Sequence, residues 1–98
     1  MLVKIHSSYR DVVAVCDSDL IGKRFEQDKF QLEIKENFYK GDEKSKEEMK
    51  KLFQEFQEKD AVFNIIGKKA VALAIEAGLL DKNGIKEIDG VPFAMSLL

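Results

Sequence analysis

A glycine turn followed by two lysines is the stretch whose residue types and spacing most clearly suggest chemistry. Ala61 to Ile66 is an apolar run rich in β-branched and aromatic residues, which is typical of a buried strand. Gly67 ends the run, and Lys68 and Lys69 open a segment with helical spacing of apolar residues. A helix that begins after such a turn presents unpaired N–H groups and a positive dipole end, which bind phosphate or carboxylate.

We therefore predict an anion site at Gly67, Lys68 and Lys69, with Asn64 either capping the helix or binding the ligand. The pattern is neither a P-loop nor a dinucleotide fingerprint, because it holds a single glycine. The alternative is that Gly67 only forms the turn and that both lysines are solvated.

Acidic and basic residues after the second apolar run form another candidate. In CDSDLIGK, Asp17 and Asp19 could hold a cation or contribute to a ligand site, and Lys23 could extend a positive patch. The further carboxylates of an EF-hand are absent, so the alternative is two turn residues that bond the local backbone.

An aromatic pair, Phe38 and Tyr39, lies beside Lys40 and could stack on a nucleobase or another ring. The alternative is that the pair packs its loop onto the core. We keep Tyr39 as a candidate ligand-binding residue.

The sequence contains one cysteine and one histidine, which could form a catalytic dyad. In an antiparallel hairpin His6 lies near the turn and Cys16 at the far end, about 16 Å away at strand rise. We therefore expect no dyad within one subunit, and Cys16 as a small core residue. One histidine and one cysteine also disfavour a zinc site. We expect no metal, no cofactor and no catalytic residues.

The elements that position these residues follow from the hydrophobic pattern. Apolar runs predict strands at residues 2–6, 12–16, 30–34, 61–66, 85–88 and 91–95, and helices within 42–60 and 68–77. Asp89 and Gly90 are a hairpin signal, and Pro92 predicts an edge strand or interrupted pairing. The order β-β-β-α-β-α-β-β indicates an α+β two-layer sandwich with a mixed sheet.

Composition limits the class of protein. Ninety-eight residues, 45% hydrophobic and 35% charged, predict one globular domain over residues 1–98. A net charge of -2 argues against a broad nucleic-acid surface but leaves room for a local basic patch. No apolar stretch reaches the roughly 18 residues of a membrane span. We expect a cytoplasmic protein without a signal peptide and without a membrane partner.

Four segments carry a family resemblance: VVAVCDSDLIGKRF, ENFYKG, NIIGKKAVALAIEAGLL and IDGVPFA, in this order and spacing. They resemble the small archaeal proteins catalogued as domain of unknown function 424, over nearly the whole chain. The resemblance implies an archaeal cytosolic protein with a two-layer fold and implies no known activity. Relatives often have a histidine after the proline of the last strand, where this chain has Phe93.

Three hypotheses of function follow. The first is a binding module for an anionic group, an RNA phosphate or a nucleotide, at the glycine turn. The second is a protein–protein interaction module or homodimer that uses the apolar C-terminal strand or the stripe of Met49, Phe53 and Phe56. The third, an enzyme that acts on a small phosphorylated substrate, ranks last because no acid, base and nucleophile can be paired from the sequence.

Overall fold

The protein is described by a computed structural model over residues 1–96, and its centre is a mixed sheet of six strands. The elements in chain order are β1 (Leu2–His6), β2 (Val12–Cys16), β3 (Arg24–Gln27), β4 (Phe30–Glu33), α1 (Glu36–Tyr39), β5 (Asp42–Glu43), α2 (Lys46–Glu58), β6 (Val62–Ile66), α3 (Lys68–Glu76), β7 (Lys86–Ile88) and β8 (Val91–Ser96). The strand order is β5-β1-β2-β6-β8-β7, and β3 pairs with β4 in a separate hairpin. Among the strands of residues 1–96, only the β2–β6 pair is parallel, so the predicted α+β fold and mixed sheet are confirmed.

Helices α2 and α3 cover one face of the sheet. The apolar stripe of α2 lies on the core: Met49 and Phe53 are fully buried, and Phe56 nearly so. Ser45 starts this helix with a capping box, in which its hydroxyl accepts from the Glu48 amide and its own amide donates to the Glu48 carboxylate. The stripe is therefore core packing, and the prediction that it forms a contact surface is wrong.

The opposite face of the sheet is covered only in part, by α1 and the β3–β4 hairpin. Ala14, Cys16 and Ile66 of the sheet pack there against Ile34 and Tyr39. Val13 and Ile65, which alternate with these residues along the same strands, point into the helix layer. Within residues 1–96, part of the second face therefore remains open beside the hairpin.

The predicted strand, glycine turn and helix are present at the centre of the fold. Strand β6 lies between β2 and β8, and Gly67 joins it to α3 with a φ of 113°. Gly78 follows the helix with a φ of 80°, the left-handed conformation that glycine adopts without strain. The Asp89-Gly90 turn between β7 and β8 also has both φ angles positive, as a two-residue hairpin of this type requires.

Two sequence predictions about strands need correction. The strand predicted at residues 30–34 is β4, which pairs with β3 outside the main sheet and forms a hairpin that the pattern did not indicate. Pro92 predicted either an edge strand or interrupted pairing, and the edge strand is the wrong alternative: β8 is interior, because β7 covers its other side. Pro92 is tolerated there because the pairing of β8 with β6 begins only at Phe93. The chain's apolar end at Leu97 and Leu98 lies outside the described residues.

No helix within residues 1–96 has the length and apolar character needed to cross a membrane.

Candidate functional site

The parallel strands β2 and β6 end side by side, which places the segment after each strand at one edge of the sheet. Cys16 is paired with Ile66, and the next residues are Asp17 and Gly67. The Asp17 amide continues the ladder and donates to the Ile66 carbonyl over 3.1 Å. The two candidate segments of the sequence, 16–23 and 64–69, therefore converge, as a ligand site at this edge requires.

The carboxylate at this edge belongs to the protein itself. Asp17 is buried, and its Oδ2 accepts from the Lys69 amide at 3.0 Å while Oδ1 accepts from the Ala70 amide at 2.8 Å. The positive end of the α3 dipole faces this negative charge. The expectation that the first amides of α3 are unpaired is thus wrong for Lys69 and Ala70. An external anion could reach these two amides only by displacing Asp17.

The side chains around Asp17 form a shallow cleft of about 290 Å³, lined among others by Asp19, Lys68, Lys69 and Gly90. Lys68, Lys69 and Asp19 are exposed, so the cleft carries both signs of charge. Four predicted site residues and the turn at Gly67 are therefore neighbours. Lys23 lines neither this cleft nor the groove described next; its carbonyl accepts from the Ile34 amide ahead of β3.

Asn64 does not cap α3. Gly67 occupies the N-cap position and has no side chain, so the side-chain hydrogen bonds to the first turn of α3 come from Asp17. Asn64 points to the half-covered face of the sheet. Its Oδ1 accepts from the hydroxyl of Tyr39 at 3.1 Å. The structure thus separates the predicted site residues into two groups, with Tyr39 and Asn64 in a different place from Asp17 and the lysines.

Tyr39 and Asn64 lie in a groove of about 440 Å³ between the β4–α1 side and strands β6, β8 and β7. This volume falls within the range of small-ligand sites, about 300–1,000 Å³. The wall and floor contain apolar side chains with a few polar ones, among them Leu32, Glu33, Ile66, Lys86, Phe93 and Met95. We call this the sheet groove. It has the composition of a ligand site, in which apolar surface surrounds a few polar groups.

The hydrogen bond between Tyr39 and Asn64 has a defined direction. Burial, together with the nearby Cys16, raises the pKa of the Tyr39 phenol well above its usual range, so the hydroxyl keeps its proton and can donate. Its one acceptor among residues 1–96 is Asn64 Oδ1. The Asn64 NH₂ group, by contrast, makes no hydrogen bond within the same residues. The side chain is half-buried, and no buried side-chain polar atom of these residues lacks a partner, so the NH₂ group is open to the solvent in the groove.

The aromatic pair at the end of α1 packs the helix onto the sheet. Phe38 stacks on the His6 ring at 4.4 Å, and His6 Nε2 contacts the Phe38 carbonyl at 2.8 Å. Tyr39 is buried with 5% of its surface exposed, so its ring cannot stack on a ligand and only its hydroxyl serves the groove. The stacking role considered for this pair is therefore wrong for Tyr39.

The register places Cys16 opposite Leu2 and His6 opposite Val12, at the two ends of the β1–β2 pair. These two side chains cannot form a dyad within one subunit. Burial and the negative charge of Asp17 raise the pKa of the Cys16 thiol to about 11, so the thiol is unreactive near neutral pH. Within residues 1–96, no three His, Cys, Asp or Glu side chains lie together as a metal site would require.

Sequence reasoning missed Lys86, Phe93 and Met95 as groove residues. One signal was present: Asn64 is the single polar side chain in an otherwise apolar run from Ala61 to Ile66. A polar residue on a central strand must find a partner or a ligand, since an unpaired amide in the core is costly. The identity of the facing strand, β8, could not be read from this signal.

Comparisons with known proteins agree with the fold. The family model described as "Protein of unknown function (DUF424)" matches residues 5–97. The crystal structure of an uncharacterized conserved protein from Methanopyrus kandleri is similar, with 31% sequence identity and a TM-score of 0.82. The match covers 96% of this chain and 87% of that one. No curated protein matches. The resemblance seen in the sequence is thus confirmed, and the chain belongs to the DUF424 family of proteins of unknown function.

Proposed function

We propose that the protein is a binding module whose sheet groove holds a nucleobase, supplied by a nucleotide or by a single-stranded RNA. The observation that carries this proposal is the side chain of Asn64. It lies half-buried in the groove with its NH₂ group unpartnered within residues 1–96. An amide held in this way on a rigid strand is a ready donor for a ligand, because its orientation is fixed before binding.

The apolar surface beside Asn64 suits a flat ring. Met95 is the cross-strand partner of Asn64 and is 59% exposed, and Phe93 lies two residues along the same strand. Leu32 of the hairpin lines the groove as well. Nucleobases gain about 1–3 kcal/mol from stacking on aromatic side chains, and they present hydrogen-bonding groups at the ring edge. A nucleobase therefore matches both the surface and the donor.

A phosphate attached to such a base would find a cation at the far side of the groove. Lys86 is the partner of Phe93 across the β7–β8 pair, and Phe93 is the partner of Ile66. Strand spacing and rise put the Lys86 and Asn64 backbones about 12 Å apart. Lys86 is exposed, and the carboxylate of Glu33 is also part of the lining.

The cleft at Asp17 supports a second candidate site, for a phosphate alone. The exposed pair Lys68 and Lys69 line this cleft beside the Gly90 turn. We rank it second because the Lys69 and Ala70 amides already bond the Asp17 carboxylate. Binding there would depend on the lysine side chains without the help of these amides.

Equilibrium binding measurements with mutants can distinguish the two sites. We expect nucleoside monophosphates and a short mixed-sequence single-stranded RNA to bind the wild-type protein, more weakly as salt rises. Asn64→Ala should weaken binding about five- to tenfold, since it removes one hydrogen bond of about 1 kcal/mol. Lys86→Ala should lower the salt dependence.

The matched control is Gln54→Ala, which removes an exposed amide from α2 on the other face of the sheet. This variant should bind as the wild type does. If Lys68→Ala/Lys69→Ala abolishes binding while Asn64→Ala does not change it, the ligand lies in the cleft at Asp17 and the sheet groove is not the site.

A further inference from the structure

We propose that the Tyr39–Asn64 pair makes the sheet groove selective for bases with a keto oxygen, uracil and guanine, over the amino bases cytosine and adenine. This inference rests on the proposed function, because it concerns the ligand of the same groove. Its basis is the direction of one hydrogen bond: the Tyr39 hydroxyl donates to Asn64 Oδ1 over 3.1 Å.

A free asparagine side chain is not selective in this way. Its carbonyl oxygen and its NH₂ group can exchange places by rotation, and together they can bind the adjacent acceptor and donor of adenine. In this protein the carbonyl oxygen faces the Tyr39 hydroxyl. That hydroxyl has no other acceptor among the described residues. Rotation of the amide would bring the NH₂ group to the phenol and leave the phenolic proton without that acceptor.

As a consequence, the NH₂ group of Asn64 is directed to the groove as a donor, whereas Oδ1 is turned toward Tyr39 and already accepts one hydrogen bond from its hydroxyl. The base edges differ in what they require: guanine presents O6 and N7, and uracil presents O4, all of them acceptors. Cytosine presents its N4 amino group in place of O4, and adenine presents its N6 amino group in place of O6 and keeps the N7 acceptor. An NH₂ group of the ligand that faces the NH₂ group of Asn64 would leave two donors unpaired, and a site built for one partner rejects the other strongly for this reason.

Tyr39 is therefore a positioning residue. It is 5% exposed, and its ring packs edge-on against Phe38 with the ring centroids 5.0 Å apart. The packed ring therefore fixes the position of the hydroxyl beside Asn64. Phenylalanine at position 39 can fill the same space without the hydroxyl, which frees the amide to rotate without removing the ring from the core.

The experiment measures ratios of dissociation constants for UMP against CMP and for GMP against AMP. We expect the wild type to favour the keto base of each pair by tenfold or more. Tyr39→Phe should bring both ratios to within about threefold of one. Asn64→Asp offers acceptors only, so it should invert the preference. The added negative charge weakens the binding of every nucleotide through its phosphate, but this effect is common to both members of a pair and cancels in the ratio.

The outcomes separate this inference from the proposed function. If the wild type binds none of the four nucleotides and no single-stranded RNA, the proposed function fails, and the inference fails with it. If the nucleotides bind with ratios near one, or if Tyr39→Phe keeps the wild-type ratios, only the inference is overturned. A thermal unfolding curve on each variant shows that the protein measured is folded. Short oligouridylate and oligocytidylate, run in parallel with the nucleotides, show whether the base is read from RNA with the same ratio.

Discussion

Asp17 and Gly67 can stand next to each other only because position 67 carries no side chain. A Cβ atom at Gly67 would lie 2.6 Å from Oδ2 and 2.8 Å from Oδ1 of the Asp17 carboxylate. Such distances are far below van der Waals contact. Two features therefore require glycine at position 67: the backbone has a φ of 113°, and the Asp17 carboxylate occupies the space that a Cβ atom would need. The turn at Gly67, which suggested a site for an external anion, instead lies against the carboxylate of Asp17.

Removing this carboxylate should destabilise the fold. In Asp17→Ala the Lys69 and Ala70 amides lose their acceptor, and charge-assisted bonds at a helix N-terminus are among the stronger hydrogen bonds. We expect the free energy of unfolding in urea to fall by about 2–3 kcal/mol. Asp19→Ala is the matched control, because this residue is exposed in the same segment, and its effect should stay within about 0.5 kcal/mol. Equal effects of the two substitutions would contradict the capping role of Asp17.

A methyl group at Gly67 should be costly, and part of the cost should depend on Asp17. Gly67→Ala forces a residue with a Cβ into a region of φ and ψ that is essentially confined to glycine, at about 1–3 kcal/mol, and adds the clash with the carboxylate. Combined with Asp17→Ala, the clash disappears. The double-mutant cycle should therefore show a coupling of about 1 kcal/mol or more.

Gly84→Ala provides the comparison for this cycle, since a Cβ there meets no described residue within 4 Å. Its effect on the free energy of unfolding should be small, and it should be additive with Asp17→Ala. Strict additivity of Gly67→Ala and Asp17→Ala would show that the carboxylate does not restrict position 67.

The sequence predicted the parts of this arrangement that depend on neighbours along the chain. The strand, turn and helix around Gly67 follow from local periodicity, and the Asp89-Gly90 hairpin follows from its turn residues. The bond from Asp17 to α3 spans 52 positions in the chain to Lys69, so no local pattern indicates it. The parallel pairing of β2 with β6 was needed to bring them together.

The sheet groove was less accessible to prediction for a similar reason. Tyr39 and Asn64 were both candidates, but their 3.1 Å contact depends on how α1 packs across the sheet. The β3–β4 hairpin that forms one side was missed, because its turn contains Asp28 with a φ of 56° rather than a glycine. Aspartate tolerates this conformation, but in a sequence it is a weak turn signal.

The stability of the protein should fall as pH rises above 9, and Cys16 should account for part of the fall. Burial raises the pKa of this thiol from 9.0 to about 11 in the folded state. The unfolded state therefore releases its proton first, so the contribution is present in full below pH 9 and is lost as pH rises toward 11. We expect a loss of about 2 kcal/mol between pH 8 and pH 10.5 from this group.

The Cys16→Ala variant isolates this contribution, since all other titrating groups remain. The quantity to compare is the change in the free energy of unfolding from pH 8 to pH 10.5, and it should be smaller in the variant. An identical change in both proteins would mean that the thiol is not held in its neutral form. Ellman's reagent at pH 8 should correspondingly label native Cys16 slowly and the urea-unfolded chain fast.

The most direct test of the central claim, that the sheet groove is the ligand site, is a ¹⁵N–¹H NMR titration of the protein with UMP. We predict that the side-chain NH₂ resonances of Asn64 and the backbone amides of Phe93 and Met95 shift in a saturable way. The amide resonances of Lys69 and Ala70, whose N–H groups donate to Asp17, should not shift. Saturable shifts at Lys69 and Ala70 with an unchanged Asn64 would contradict the account and return the ligand to the glycine turn.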